Sequence, residues 1–291
     1  MKKILIFCIY AAAFMVTAMN AKAVSTVYVD DDWAGSNNGD IVGGHTFGTD
    51  AFATIQDGVN AVDPAGNVYV EPGNYTQPLL INKSVNIEST SGAIYSTQKG
   101  ARTTVPEISI KGMTIIPDNI LGEAACVYLS SGSNDIEISE CIIDGQNTGA
   151  SRGILVETGG SYSNVNIHDN EIMDLTTGIY LNPHSGVIDI LNNEIHGTLA
   201  GIGGLNNTNV QGNYFHDNDE AIGADNSYEN ATVKNNRFDG NTFGVKNYGS
   251  EIIIAEWNYW GDSHGPEFDG INTIEYLQGT GPALGAAIID G

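Results

Sequence analysis

Ile188-Asp189-Ile190-Leu191-Asn192-Asn193-Glu194-Ile195-His196 alternates apolar and polar residues around Asn193, and the same frame returns at Asn170, Asn213, Asn236 and Asn258. From Asn170 onward the intervals are 23, 20, 23 and 22 residues. The residues at minus five and minus three are Val165/Ile167, Ile188/Ile190, Thr208/Val210, Ala231/Val233 and Ile253/Ala255, and those at plus two are Ile172, Ile195, Phe215, Phe238 and Trp260. A unit of about twenty residues with two-residue alternation is too short for paired helices and fits one coil of a parallel β-helix. The plus-two row therefore faces the core, Trp260 included, and stacked asparagines satisfy one another and the turn backbone.

A third strand in each coil reads small, apolar, any, apolar: Gly153-Ile154-Leu155-Val156, Gly178-Ile179-Tyr180-Leu181, then Gly201-Ile202, Ala221-Ile222 and Gly244-Val245. Three strands per coil follow. In the early coils Met113 and Cys141 take the asparagine position, so the ladder proper begins at Asn170. Further upstream Val68-Tyr69-Val70, Leu79 to Ile81, Val85 to Ile87 and Ile108 to Ile110 read as strands. Before them Phe52, Ile55, Val59 and Val62 share one face of a short helix that Thr49 or Asp50 caps and Pro64 to Gly66 ends. Such a helix covers the open end of the first coil, where unpaired strand groups invite other chains. The expected organisation is an all-β parallel β-helix in one domain, with an N-terminal cap over 24–66, coils over 67–260 and a C-terminal cap over 261–291.

Lys2 and Lys3, the apolar run Ile4 to Val16 and the small-residue site Ala21-Lys22-Ala23 read as a secretory signal over residues 1–23, which places the mature protein in the periplasm, outside the cell or at its surface. No later run approaches the roughly 20 apolar residues of a membrane helix. Beyond residue 23 the chain holds all 35 acidic residues and eight of the 11 Lys and Arg, a formal charge of −27. That balance argues against nucleic acid as a partner. Of three cysteines, Cys8 leaves with the signal, and Cys126 and Cys141 either bridge across one coil or stay as buried thiols.

Three stretches carry a family likeness: Tyr28-Val29-Asp30-Asp31-Asp32; Phe52 to Val59 leading to Val68-Tyr69-Val70-Glu71-Pro72-Gly73-Asn74-Tyr75; and Asn258-Tyr259-Trp260-Gly261-Asp262 with Gly265-Pro266. They resemble secreted right-handed parallel β-helix repeat proteins of the pectin-lyase-like superfamily, including the periplasmic nitrous-oxide-reductase maturation relatives. The resemblance implies the handedness of the coil and leaves the activity open, since that superfamily holds lyases, hydrolases, esterases, epimerases and surface proteins.

In many polysaccharide lyases of that superfamily the substrate lies along the outer face of the strand that here begins Gly-Ile. Alternation points Tyr128, Ser130, Leu155, Glu157, Tyr180, Asn182, Gly203, Leu205, Gly223, Asp225, Lys246 and Tyr248 outward on this strand. The carbohydrate-binding candidates are accordingly Tyr128, Tyr180, Asn182, His184 and Tyr248, and the catalytic candidates are Glu157, Asp225 and Lys246. A lyase needs a base and, commonly, Ca²⁺ held by two or more carboxylates. Glu157 and Asp225 lie three coils apart, roughly 14 Å, too far to share one ion, and Lys246 is expected to pair with Asp225. Asn182-Pro183-His184 is similar to the Asp-Pro-His motif of mannuronan C5-epimerases but lacks its acid.

A second face gathers more titratable groups. One residue after each ladder position stand Glu171, Glu194, Tyr214, Arg237 and Tyr259; three after stand Met173, His196, His216, Asp239 and Gly261. His196, His216 and Asp239 should stack on consecutive coils, where they suit a transition metal or acid-base work. The sequence is thus read as an exported β-helix protein that binds polysaccharide or the cell surface without a catalytic motif. Its alternatives are a Ca²⁺-dependent polysaccharide lyase and a periplasmic maturation factor.

Overall fold

The computed structural model describes residues 24–90, 92–97, 100–117, 125–146, 152–224, 230–248, 253–261 and 287–290. Residues 1–23, expected to be the signal, and Asp225, Asp262, Gly265 and Pro266 lie outside them. Among the described residues the chain winds through three parallel sheets of eleven, nine and eight strands, here sheets I, II and III, in a solenoid of about nine turns. A representative coil runs from Val165–His168 in sheet I to Glu171–Met173 in sheet III and Thr177–Leu181 in sheet II, then returns to sheet I at Ile188–Leu191. Val165 pairs with Ile188 and Ile188 with Thr208, so the frame read from the sequence is the register of the sheet.

From Gly112 onward the described corners turn on a residue in the left-handed region. Between sheets I and III these are Gly112, Glu140, Asp169, Asn192, Gly212, Asn235 and Trp257, each just before the ladder position. Glycine and asparagine adopt that conformation readily; Trp257 does so at φ 57° while 57 % exposed. The turn aims the following side chain inward. Asn193 Nδ2 donates to Asn213 Oδ1 at 3.0 Å and to the Ile167 carbonyl at 2.9 Å, while Asn193 N–H reaches the same Asn213 oxygen at 2.9 Å. The pattern repeats from Asn170 to Asn258, and Cys141 N–H donates to Asn170 Oδ1 at the start.

The corner between sheets III and II uses the same device. Gly197, Asp217 and Gly240 are left-handed, and Thr198, Asn218 and Asn241 behind them form a second buried ladder, with Asn218 Nδ2 donating to Asn241 Oδ1 at 2.9 Å and to the Ile195 carbonyl at 2.9 Å. Inside, the plus-two row stacks: Phe215 on Phe238 at 5.2 Å and Phe238 on Trp260 at 4.6 Å between ring centroids.

The small residues that open the sheet II strands also have a reason. A Cβ at Gly178 would come within 2.6 Å of the Gly201 carbonyl oxygen, and one at Gly201 within 2.5 Å of that of Ala221. Both residues of each small-apolar pair are buried, Cys126-Val127 and Ala221-Ile222 among them, which breaks strict alternation at this point.

Helix α1 (Ile55–Ala61) packs on the first strands, with Ile55 and Val59 buried. Its cap is Thr54, not Thr49 or Asp50: the Thr54 side chain accepts from Asp57 N–H at 3.1 Å, because Ala51–Phe52 is still paired as a strand. The Thr54→Ala variant is expected to lose about 1 kcal/mol in thermal unfolding, the usual weight of an N-cap. Gly35 to Asp50 contains a small hairpin, Ile41–Val42 against His45–Thr46. Cys126 and Cys141 are buried free thiols, and burial pushes them up to about 12 and about 11, so neither is a nucleophile at neutral pH.

Candidate functional site

On the outer face of sheet II, register stacks Arg102, Tyr128, Leu155, Tyr180, Gly203, Gly223 and Lys246 in one row. A second row beside it runs Arg152, Thr177, Ala200, Glu220 and Phe243. Tyr128, Arg152, Leu155, Glu157, Tyr180 and Asn182 enclose a groove of about 470 Å³. Leu155, expected outward, is only 4 % exposed because it forms the floor between the two tyrosines. Ser130 is buried too, taking a hydrogen bond from Arg102 Nε at 3.0 Å. Leu205 is fully buried rather than outward, since left-handed Gly204 ends the strand and turns it into the core.

The groove's charges are held in place. Glu157 accepts from Tyr128 OH at 3.0 Å and from Ser131 N–H at 2.7 Å, with the Arg102 guanidinium 3.8 Å away. Arg102 lies over the Tyr128 ring at 4.6 Å, and Arg152 over Tyr180 at 4.3 Å. Arg152 has no carboxylate partner among the described residues. Asn182, which lines the groove, is held by its Nδ2 donating to the Val156 carbonyl at 2.8 Å. His184 is turned inward, 7 % exposed: Nδ1 bonds the Asn182 carbonyl at 2.8 Å, the ring meets Tyr162 edge-on, and burial pushes its pKa down.

Three coils along, Lys246 Nζ bonds Glu220 Oε1 at 2.7 Å, and Tyr248 OH donates to the same oxygen. The expected pairing with Asp225 falls outside the described residues, and among them Glu220 is the partner of Lys246. That hydrogen bond holds the ammonium above its usual range, so it is a fixed cation and not a base.

Sheet III carries the other set. His196 and His216 stack with centroids 4.5 Å apart and rings 9° from parallel. His216 Nε2 lies 3.0 Å from Glu194 Oε1 and its Nδ1 2.9 Å from Asp217 Oδ2; His196 Nε2 lies 3.4 Å from Glu171 Oε1. In the next coil Arg237 bonds Asp239 at 2.7 Å and lies over Tyr214 at 4.5 Å, so Asp239 is tied up within its own strand.

Residues 92–258 match the family described as right handed beta helix region, more than half of the chain. The chain belongs to the right-handed β-helix family. No curated protein matches. Among solved structures, this β-helix protein is similar to a pectin methylesterase from Aspergillus niger in deglycosylated form, at 10% identity and TM-score 0.44 over 80% of this chain and 85% of that one. A pectate lyase, Pel9A, aligns at 11% identity and TM-score 0.43 over 84% of this chain and 75% of that one. ORF18 of Geobacillus virus E2 aligns at 16% identity and TM-score 0.40 over 80% of this chain and 48% of that one. At these identities the likeness concerns the fold.

Within this β-helix, three residues of the sheet II face escaped the sequence reading: Arg152 in the groove, Arg102 beside it and Glu220 three coils along. Arg152 and Glu220 each stand just before a small-apolar pair whose two members are both buried, a break in alternation that hides them from a period-two reading. Arg102 lies on a strand, Ala101–Thr103, with too few residues to show a period.

Proposed function

We propose that this chain is an exported β-helix protein that holds an extended, uronate-containing polysaccharide across sheet II, in the groove between Tyr128 and Tyr180. One observation carries the reading: a guanidinium free of any described carboxylate, Arg152, is stacked at 4.3 Å on an aromatic platform, Tyr180, beside an apolar floor. Two tyrosines two coils apart, roughly 9.5 Å, offer stacking surfaces for successive sugars, and Arg152 supplies the countercharge for a carboxylate. In a chain this acidic the cations are few, and Arg102, Arg152 and Lys246 all stand on this face.

Binding is favoured over β-elimination. Glu157 is the one carboxylate lining the groove among the described residues, and its oxygens are already engaged by Tyr128 OH, the Ser131 N–H and the nearby Arg102, so no unengaged carboxylate there stands ready to take a sugar proton. The test is affinity electrophoresis of wild type, Arg152→Ala and Tyr180→Ala through gels containing a polyuronate or a neutral glucan, with absorbance near 235 nm followed in parallel. We expect retardation by the polyuronate alone, no unsaturated product, and a loss of about 1–2 kcal/mol, roughly five- to thirty-fold, in each variant. Equal retardation of Arg152→Ala and wild type would sink the assignment of the groove, and a rise in absorbance would replace the binding reading with a lyase.

A further inference from the structure

His216 stands between two carboxylates, Asp217 at Nδ1 and Glu194 at Nε2. An imidazole so placed is satisfied in two ways: by a proton on each nitrogen, or by a proton on Nδ1 shared with one carboxylate and a metal ion on Nε2 shared with the other. The second arrangement is the carboxylate–histidine–metal relay that fixes the tautomer and orients the ring. The neighbouring coil repeats half of the unit one step lower, with Glu171 Oε1 at 3.4 Å from His196 Nε2. Glu194, His196 and His216 each offer a ligand atom, and these atoms lie within 4.8 Å of one another.

We propose that sheet III binds a divalent transition metal of the zinc class through His196 Nε2, His216 Nε2 and the Glu194 carboxylate, with Glu171 in reach as a fourth ligand and Asp217 as the positioning residue. Zinc bonds of about 2.0–2.1 Å require ligand atoms no more than roughly 4.2 Å apart. The two imidazoles stack nearly parallel, so one ring turns about its side-chain bonds for both nitrogen lone pairs to meet one ion, and Glu194, 49 % exposed in its side chain, is free to follow. Two imidazoles with carboxylates suit zinc, copper or nickel and not the hard, all-oxygen coordination of calcium. The ligands come from three consecutive coils, Glu171, then Glu194 with His196, then His216, so the ion ties those coils together. Binding displaces any proton on Nε2 to solvent, and the net negative charge of the chain favours a cation's approach.

This site lies on a different sheet from the polysaccharide groove, and its test is independent of that reading. Zn²⁺ is titrated calorimetrically into the purified protein, its His196→Ala, His216→Ala, Glu194→Gln and Asp217→Ala variants, and His168→Ala as the comparison. His168, between Glu137 at 3.3 Å and Asp169 at 2.7 Å on sheet I, has the same carboxylates but no second histidine stacked on it. The expected result is one equivalent of Zn²⁺, affinity reduced about 10- to 100-fold in Asp217→Ala and further in His196→Ala and His216→Ala, with His168→Ala unchanged and excess Ca²⁺ without effect. Zn²⁺ should also raise the Tm of wild type and not that of His216→Ala. If a histidine variant does not fold, the isosteric Glu194→Gln carries the comparison. No heat of binding, full affinity in His216→Ala or Glu194→Gln, or loss in His168→Ala would each overturn the site.

Discussion

Replacing Asn213 by leucine is expected to lower the stability by about 3–5 kcal/mol, because more than one buried backbone group loses its partner at once. Asn213 is 1 % exposed and sits in the middle of the ladder. Its Oδ1 accepts from the Asn193 N–H at 2.9 Å and from Asn193 Nδ2 at 3.0 Å, and its Nδ2 donates to the Ile190 carbonyl at 2.8 Å. Leucine leaves the Asn193 N–H and the Ile190 carbonyl without partners at a corner closed to water, and its extra bulk strains the turn. At roughly 2–4 °C per kcal/mol for a domain of this size, Tm should fall by about 6–20 °C. Lys111→Ala, which removes an exposed ion pair to Glu140, should change it hardly at all. An Asn213→Leu protein that melted with wild type would mean that the row does not carry the corner.

That ladder was legible because its members repeat both the letter and the frame. The second one, Thr198, Asn218 and Asn241, has the same intervals of 20 and 23 but was not seen, because its first member is a threonine and the coil before it offers Leu175 at the equivalent corner. The signal was present in Gly197-Thr198, Asp217-Asn218 and Gly240-Asn241: a residue tolerant of positive φ followed by a side chain that bonds backbone. A period plus the conformational tolerance of the preceding residue finds both ladders; the period alone finds one.

The site was less legible than the fold for a related reason. Alternation places a side chain correctly only while the strand stays regular, and sheet II is irregular where the small residues stack, with Gly153-Ile154 and Gly178-Ile179 both inward. Tyr128 and Tyr180 lie on the regular side of that point and were assigned correctly, whereas Arg152 and Glu220 lie on the other side of it. Sheet III strands such as Glu194–His196 and Tyr214–His216 are three residues long and regular, so the histidine stack was readable in full. What the sequence did not supply were Asp217, which reaches His216 from a turn, and the pairing of Glu171 with His196 of the adjacent coil.

Phe238→Ala is the second large effect. The ring is fully buried and stacked between Phe215 and Trp260, so its removal opens a void in the middle of an aromatic column that rigid coils on either side cannot close. The expected cost is about 3–5 kcal/mol, while Phe238→Leu, which keeps most of the volume, should cost less than about 1.5 kcal/mol. Where the loss appears matters as much as its size. In a solenoid each coil touches only its neighbours, so stability is close to a sum of coil and interface terms. Native-state hydrogen exchange should therefore lose protection in the coils from Thr208 to Trp260 and keep it from Ala125 to Leu181. The groove is built three coils away, so polyuronate retardation should survive in Phe238→Ala at a temperature where the C-terminal coils have begun to open. A uniform fall in protection along the whole chain would show instead that the column couples the coils into one cooperative unit, and that the groove depends on the far end of the helix for its shape.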